Sequence, residues 1–366
     1  LQVQCQHQSL AFMVASGKDL YSKLSIFFIA FDGSPWGLAY EDGSEMIPFN
    51  GIFDAVEPFF YEGLYMDMVS GRDIVRQSKN DKVRGAQILS AILPMGSVMP
   101  NEEMQTRFDS MAKAMLQVDP DFFFANCDNI TAAATASRIL QDDTIVPRID
   151  YALNKVFTMD KAVYHSGSYA MALSMSSTRT YGHELINDEG KQTWNIGDGM
   201  MYLYLPNELD QYGGGYWATV DPTRLAGTTV EHKVHSKGAM DRRYNKFDWV
   251  GGSTLGSYAA VGMQNQAVGS STTNRDGAVA NKSWFVFGDE IVALGSGITS
   301  TLGNTVETIV DNRRIQPDDI TGFTVNVNGE QKNLYSNVNA GVELEDTSYL
   351  YLPGKGGGIG CYSPCT

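Results

Sequence analysis

Basic residues are in short supply in this chain of 366 residues: 27 Lys and Arg stand against 42 Asp and Glu, a net charge of −15. Nonspecific nucleic-acid affinity comes from neutralising phosphates, so a general nucleic-acid binder is disfavoured unless positive charge is concentrated locally. Cysteine is nearly absent. Cys5, Cys127, Cys361 and Cys365 are too few and too scattered to staple a fold of this size. Cys361 and Cys365 are separated by three residues with no matching His or Cys pair nearby, which leaves a local disulfide and two unrelated thiols equally open. No apolar run approaches the ~20 residues of a membrane span, so no membrane association is expected. The stretch Leu24 to Phe31 is apolar but short, and reads as a buried helix. What is plentiful is core-forming material, 43% apolar and 11% aromatic, which rules out wholesale disorder. Length over ~150 points to roughly two domains.

The first part has helical periodicity. Met104, Phe108, Met111 and Met115 recur at spacings of four, three and four, one face of a helix whose plain role is core packing. Asn101 is placed to cap it, with Glu102 and Glu103 in the first turn and Asp119-Pro120 as a break beyond it. Asp81 to Met95 and Ile130 to Gln141 read as further helices. From about Val156 the period changes to two. Met200 to Leu205 and Lys282 to Phe287 are strand-like, and Phe323, Val325 and Val327 alternate with polar residues before an Asn328-Gly329 hairpin turn. Helices first and strands afterwards imply an α+β chain of two domains, 1–145 and 146–366.

Generic catalytic motifs are missing: no phosphate loop, no HExxH, no G-x-S-x-G. Gly213-Gly-Gly215 precedes no helix and is a loop, and His232 with His235 lacks a third metal ligand, so no metal site is expected. Two polar strings remain. Arg72 and Arg76 are four apart, on one face if helical, and Asp67 and Asp73 are their plain ion-pair partners. Residues 181–189 form a dense polar loop that, taken alone, is a solvated turn. The sequons Asn129-Ile-Thr131 and Asn281-Lys-Ser283 are compatible with secretion.

Longer strings are more specific. Tyr65-Met-Asp-Met-Val-Ser-Gly-Arg72-Asp-Ile-Val-Arg76 resembles a signature of polysaccharide lyase family 8, which includes hyaluronate, chondroitin AC and xanthan lyases. Ser174-Met-Ser-Ser177-Thr-Arg179, Glu184-Leu-Ile-Asn187 and Gly197-Asp-Gly-Met200 follow in the family's order. So do Tyr216-Trp-Ala-Thr-Val-Asp-Pro222-Thr-Arg224 and Lys282-Ser-Trp-Phe-Val-Phe-Gly-Asp-Glu-Ile-Val-Ala-Leu294. The resemblance covers nearly the whole chain. It implies the C-terminal part of an incomplete α/α toroid followed by a large antiparallel β-sandwich (supersandwich), with most toroid helices before Leu1 and the last β region after Thr366.

The activity so implied is β-elimination on a uronate-containing polysaccharide, leaving an unsaturated sugar. The uronate carboxylate must be neutralised, a base must take the C5 proton, and an acid must protonate the departing O4. In the resemblance Arg72 and Arg76 match the family's two motif arginines, which favour a phenolate and anchor anions. Glu184 matches the acid that orders them, and Asn187, three residues on, is a substrate contact. Gln6-His7-Gln8 matches the family's Gln-His segment, and Trp36 is a candidate sugar contact, although as a lone Trp it reads first as packing. The catalytic Tyr belongs nine residues beyond His7, where this chain has Ser16 followed by Gly17. A serine hydroxyl is far less acidic than a phenol, whose pKa is near ~10. The chain therefore reads as a lyase impaired at Ser16, with a non-catalytic binder of acidic polysaccharide as the alternative. The reading also implies a secreted, extracellular monomer whose partner is acidic polysaccharide. No organic cofactor is needed, and a structural calcium ion in the β domain is compatible with it.

Overall fold

The computed structural model describes residues 6–7, 10–11, 13–37, 43–148, 154–213, 215–233, 244–270, 274–314, 322–334, 341–355 and 357–363. Two short strands, β1 (Gln6–His7) and β2 (Leu10–Ala11), pair at the start. Helices then dominate: α1 (Lys18–Phe31), α2 (Ile47–Gly51), α3 (Asp81–Ile92), α4 (Glu102–Leu116), α5 (Pro120–Asn126) and α6 (Ile130–Gln141). Between α2 and α3 lie the hairpin β3 (Phe60–Tyr61) and β4 (Leu64–Tyr65), then two 3₁₀ turns, Asp67–Val69 and Gly71–Val75.

Caps place the helix starts. Asn80, Asn101, Asp119 and Asn129 each accept a backbone N–H of the first turn of α3, α4, α5 and α6, which satisfies donors the helix cannot. Phe108, Met111 and Met115 of α4 are buried as their spacing requires. The helix expected to reach Met95 stops at Ile92 and continues as a 3₁₀ turn, because Pro94 has no N–H to donate. The apolar run in α1 is not the buried helix expected. Tyr21, Ser25 and Phe28 form the inward stripe, with Phe28 edge-on to Phe49 of α2, while Ile26 (62%) and Phe27 (45%) are exposed.

The remaining chain is antiparallel sheet. The first has the order β5 (Lys155–Phe157), β6 (Lys161–His165), β7 (Ala170–Ser174), β8 (Met200–Tyr204). The short α7 (Tyr216–Thr219) starts directly after Gly215, where no helix was expected; strand β9 (Thr229–Glu231) follows and pairs with β14 (Val306–Thr308). A second sheet runs β10 (Val250–Leu255), β11 (Tyr258–Gln266), β12 (Val279–Phe287), β13 (Glu290–Thr299). A third comprises β15 (Thr324–Val327), β16 (Glu330–Asn333), β17 (Tyr349–Gly354) and β18 (Gly357–Tyr362). The β15–β16 turn is the expected one: Asn328 and Gly329 both have positive φ (51° and 93°), which the primed two-residue turns demand.

The first sheet is buried on both faces. Val163, Ala170, Ala172, Met200, Tyr202 and Tyr204 point into the helical core, shared with Phe59, Tyr65 and Phe108. Ala162, Tyr164, Met171, Leu173 and Leu203 meet Ala259, Val261, Met263, Trp284 and Val286 of the second sheet. Every residue of β6 and β7 is accordingly buried. The order of layers is helices, sheet, sheet: an α+β chain with a helical domain seated on an antiparallel sandwich.

Candidate functional site

Arg72 and Arg76 do not share a face of an α-helix. Arg72 lies within the 3₁₀ turn Gly71–Val75, in which Gly71 adopts a φ of 54°, and Arg76 caps its end with extended backbone. Beneath the turn lies Arg84, fully buried. Its Nη1 donates to Asp67 Oδ1 (2.7 Å) and Asp81 Oδ1 (3.0 Å), and its Nη2 donates to the Asp73 carbonyl (2.6 Å). The Trp217 indole donates to Asp67 Oδ2 at 2.8 Å. Burial pushes the Asp67 carboxyl up to about 6, against the opposing pull of Arg84 and Trp217. Asp81 is raised well above the usual range, by burial first and by the Asp67 charge second.

Asp67 is therefore committed to Arg84, and the exposed arginines find other partners. The Arg72 backbone N–H donates to Glu184 Oε2 (2.8 Å), and its Nη1 donates to Glu184 Oε1 (3.4 Å). Arg72 Nε also lies 3.2 Å from Glu189 Oε2. Arg76 donates twice to Glu189, from Nε (2.6 Å) and Nη2 (2.8 Å), and pairs with Asp73 at 2.6 Å, which Lys79 approaches at 3.3 Å. The hydrogen bond from Arg76 holds the Glu189 carboxyl below its usual range. Three cations thus face three carboxylates. The local excess of positive charge expected for a polyanion site is not present; the cluster is balanced and works by orientation.

Glu189 was not singled out from the sequence. The signal was the Asn187-Asp188 pair, both with positive φ (54° and 65°), which folds Glu189 back to bridge Ile186. The loop is also no solvated turn: Gly182, His183, Glu184 and Leu185 are buried, and only Asn187 and Asp188 at its tip are exposed. Burial, and then the charge of Arg275, lower His183 to about 3, so it is neutral and no proton carrier near neutrality.

Ser16 is half-buried in the π-helical turn Met13–Gly17, which packs on the Gly71–Val75 turn. The turn that bears Ser16 therefore lies against the turn that bears Arg72. Tyr21, the next tyrosine along, is buried and donates to the Pro48 carbonyl (3.2 Å), so it belongs to the core. His7 lies in β1, paired with Leu10, and its side chain is outside the described residues. Trp36 is not a packing residue: it is 73% exposed in the turn after α1. A hollow of about 300 Å³, open mouth included, adjoins Arg76 and is lined by Lys79, Asn80, Arg84, Tyr216 and Trp217. Among the described residues no group of three or more His, Cys, Asp or Glu side chains could hold a metal ion. His235 and Cys365 lie outside the described residues; Cys361 is a free thiol. No helix among the described residues is long and apolar enough to cross a membrane.

Fold and site together define the class: a helical domain on an antiparallel sandwich, with arginines from the first held by glutamates from the second. Residues 4–114 match the polysaccharide lyase family 8 N terminal alpha-helical domain, and residues 153–362 match the family's super-sandwich domain. The chain belongs to polysaccharide lyase family 8. It is 34% identical over 325 residues to a hyaluronate lyase of Thermasporomyces composti, covering 88% of this chain and 41% of that protein. It is 32% identical over 363 residues to a xanthan lyase of Bacillus sp. (strain GL1), covering 98% of this chain and 37% of the relative. The chain thus spans about two fifths of the length of these relatives. Among solved structures, Paenibacillus xanthan lyase superposes with a TM-score of 0.84 at 34% identity, covering 98% of this chain and 33% of that one. Streptomyces coelicolor A3 chondroitin AC lyase, in complex with chondroitin sulphate, superposes with a TM-score of 0.76 at 26% identity, covering 94% of this chain and 45% of that one.

Proposed function

We propose that this chain carries part of the cleft of a lyase that cleaves a uronate-containing polysaccharide, of the hyaluronan, chondroitin or xanthan type, by β-elimination. The observation that carries the reading is the Arg72–Glu184 and Arg76–Glu189 pairing beside the turn that bears Ser16. In it Glu184 sets the position of Arg72, a substrate carboxylate competes with Glu189 for Arg76, and Asn187 and Trp36 contact sugar. The family resemblance gives His7 the role of neutralising the uronate carboxylate, which makes the C5 proton removable. The C5–H electrons form the C4–C5 double bond as O4 leaves, and a group at the Ser16 position would carry the proton. Serine is too weak an acid for that role. The second reading, binding of acidic polysaccharide without cleavage, is favoured by Ser16 alone. A polymer of this size is met outside the cell, so either reading includes an extracellular protein.

The test is an ultraviolet assay for unsaturated product on hyaluronan, chondroitin sulfate and xanthan, with wild type beside Ser16→Tyr. Turnover by Ser16→Tyr alone supports a lyase cleft lacking its proton-transfer group. Turnover by wild type overturns the role given to Ser16. Silence from both, with oligosaccharide binding in calorimetry, leaves the binding reading.

A further inference from the structure

Glu184 reaches Arg72 from a loop whose own backbone gives it little support. Among the described residues, backbone hydrogen bonds close the loop at Ile186–Glu189 and the bridge Tyr181–Tyr244 starts it, while Gly182 to Leu185 between them are held by packing. The packing surface is specific. A Cβ on Gly182 would run into the Arg275 guanidinium, and a Cβ on Gly197 would run into Gly182. Next to Gly197 is Asp198, which pairs with Arg275 Nη1; both are buried, at 0% and 4% exposure. Arg275 Nη1 also donates to the Gln266 carbonyl at 3.3 Å, tying the pair to β11. On the other side of the loop, a Cβ on Gly190 would meet the Glu184 carbonyl, so the loop is approached closely at Gly182 and again at Glu184.

We infer that Arg275, locked by Asp198, is a positioning residue for the Arg72–Glu184 contact: its guanidinium is the floor on which residues 182–184 rest. The inference rests on the site reading above for its functional meaning, but not for its geometry. Buried ion pairs contribute little net stability and are retained for specific geometry in some systems, which fits a pair placed under a site. Among the described residues, the route from Arg275 towards the arginines runs through Gly182 of this loop. Its loss is therefore transmitted as a shift of Glu184, and the Arg72 amide, which donates to that carboxylate at 2.8 Å, is the direct reporter.

The experiment is residue-resolved amide hydrogen exchange on the whole chain, which needs neither substrate nor turnover. Gly182→Ala displaces the guanidinium while keeping the ion pair. The double variant Asp198→Asn with Arg275→Gln removes both charges of the pair together, and Asp198→Asn alone shows how much of any change comes from Lys282, which also faces Asp198. In Gly182→Ala and in the double variant, exchange at the Arg72 amide is expected to rise at least ~10-fold while the Met111 and Met115 amides of α4 stay within about twofold, the mark of a local opening. Arg275→Lys, which keeps a cation opposite Asp198, is expected to restore most of the protection. Unchanged exchange at Arg72 in both variants overturns the inference. So does an equal acceleration at every amide, which would make the pair a general prop. Calorimetry with a hyaluronan oligosaccharide on the same samples separates the two readings: no binding by wild type counts against the lyase site, whereas the Arg72 exchange result stands by itself.

Discussion

Glu189 takes Arg76 in a two-pronged grip, accepting from Nε at 2.6 Å and from Nη2 at 2.8 Å, and so occupies the face of the guanidinium that would meet an acidic sugar. Its carboxylate is the protein's own counter-ion for the site. Glu189→Gln should therefore leave the cluster one positive charge richer. The pair is partly exposed, so stability should fall by no more than about 1 kcal/mol. Affinity for a hyaluronan oligosaccharide should rise, and should fall more steeply with salt than in wild type. Calorimetry at two ionic strengths tests this. Weaker binding at both would mean that Glu189 orients the arginines more than it blocks them.

Arg84 belongs to a different regime. It is buried between Asp67 and Asp81 and holds the Asp73 carbonyl. Arg84→Met would strand two carboxyls in the interior and should cost about 3–5 kcal/mol in urea unfolding. Arg72→Ala leaves the buried Glu184 with the backbone amide of residue 72 still donating to it, and should cost less, about 1–3 kcal/mol. Equal losses would contradict the ranking.

Burial raises Asp67 to about 6 from an ordinary 3.8. A raised acid favours the fold while its proton is held. Its contribution is full below about 3.8 and is lost as pH rises through about 6. The difference in unfolding free energy between wild type and Asp67→Asn should therefore move against wild type between pH 4 and 6. A flat difference would show that Arg84 and Trp217 keep the carboxylate ionised.

His165 works in the opposite sense. Its Nε2 donates to the Pro58 carbonyl at 2.7 Å, and burial lowers it to about 4. The unfolded chain therefore takes up the proton first, and stability is lost as pH falls from about 6.5 towards 4. Comparison with His165→Asn over that range isolates the effect. A pH-independent difference would place His165 in a wetter setting than the structure gives it.

Gly85 in the middle of α3 inverts a common rule. An interior helical Gly→Ala ordinarily stabilises by about 1 kcal/mol. Here a Cβ would strike the Gly63 carbonyl, because α3 crosses the β3–β4 hairpin at backbone contact. Gly85→Ala should destabilise by about 1–3 kcal/mol as the helix is pushed off the hairpin. A raised melting temperature would refute that crossing.

Features that depend on neighbours in sequence were legible, whereas of the distant partners only Glu184 was, through the family resemblance and not through any local pattern. The inward face of α4 and the Asn328-Gly329 turn follow from local spacing and backbone preference, and both are as read. The order of helices and sandwich was legible for the same reason. The exposed Ile26 and Phe27 were misjudged because an apolar run does not say which side will find a partner. Arg72 and Arg76 were found, but their partner Glu189 is more than a hundred residues away and is delivered by two left-handed residues. Arg275 carried no signal at all: its meaning lies in the space that Gly182 leaves open.

The strands β6 and β7 have no solvent side: alternate residues belong to the helical core and to the core between the sheets. A wall shared in this way couples the two halves thermodynamically. Removing either half would expose one entire face of the wall, so neither half has an independent melting transition to show. Heat should take the helices and the first two sheets together in one calorimetric peak, and a protease nick between α6 and β5 should leave the two pieces associated until that peak is reached.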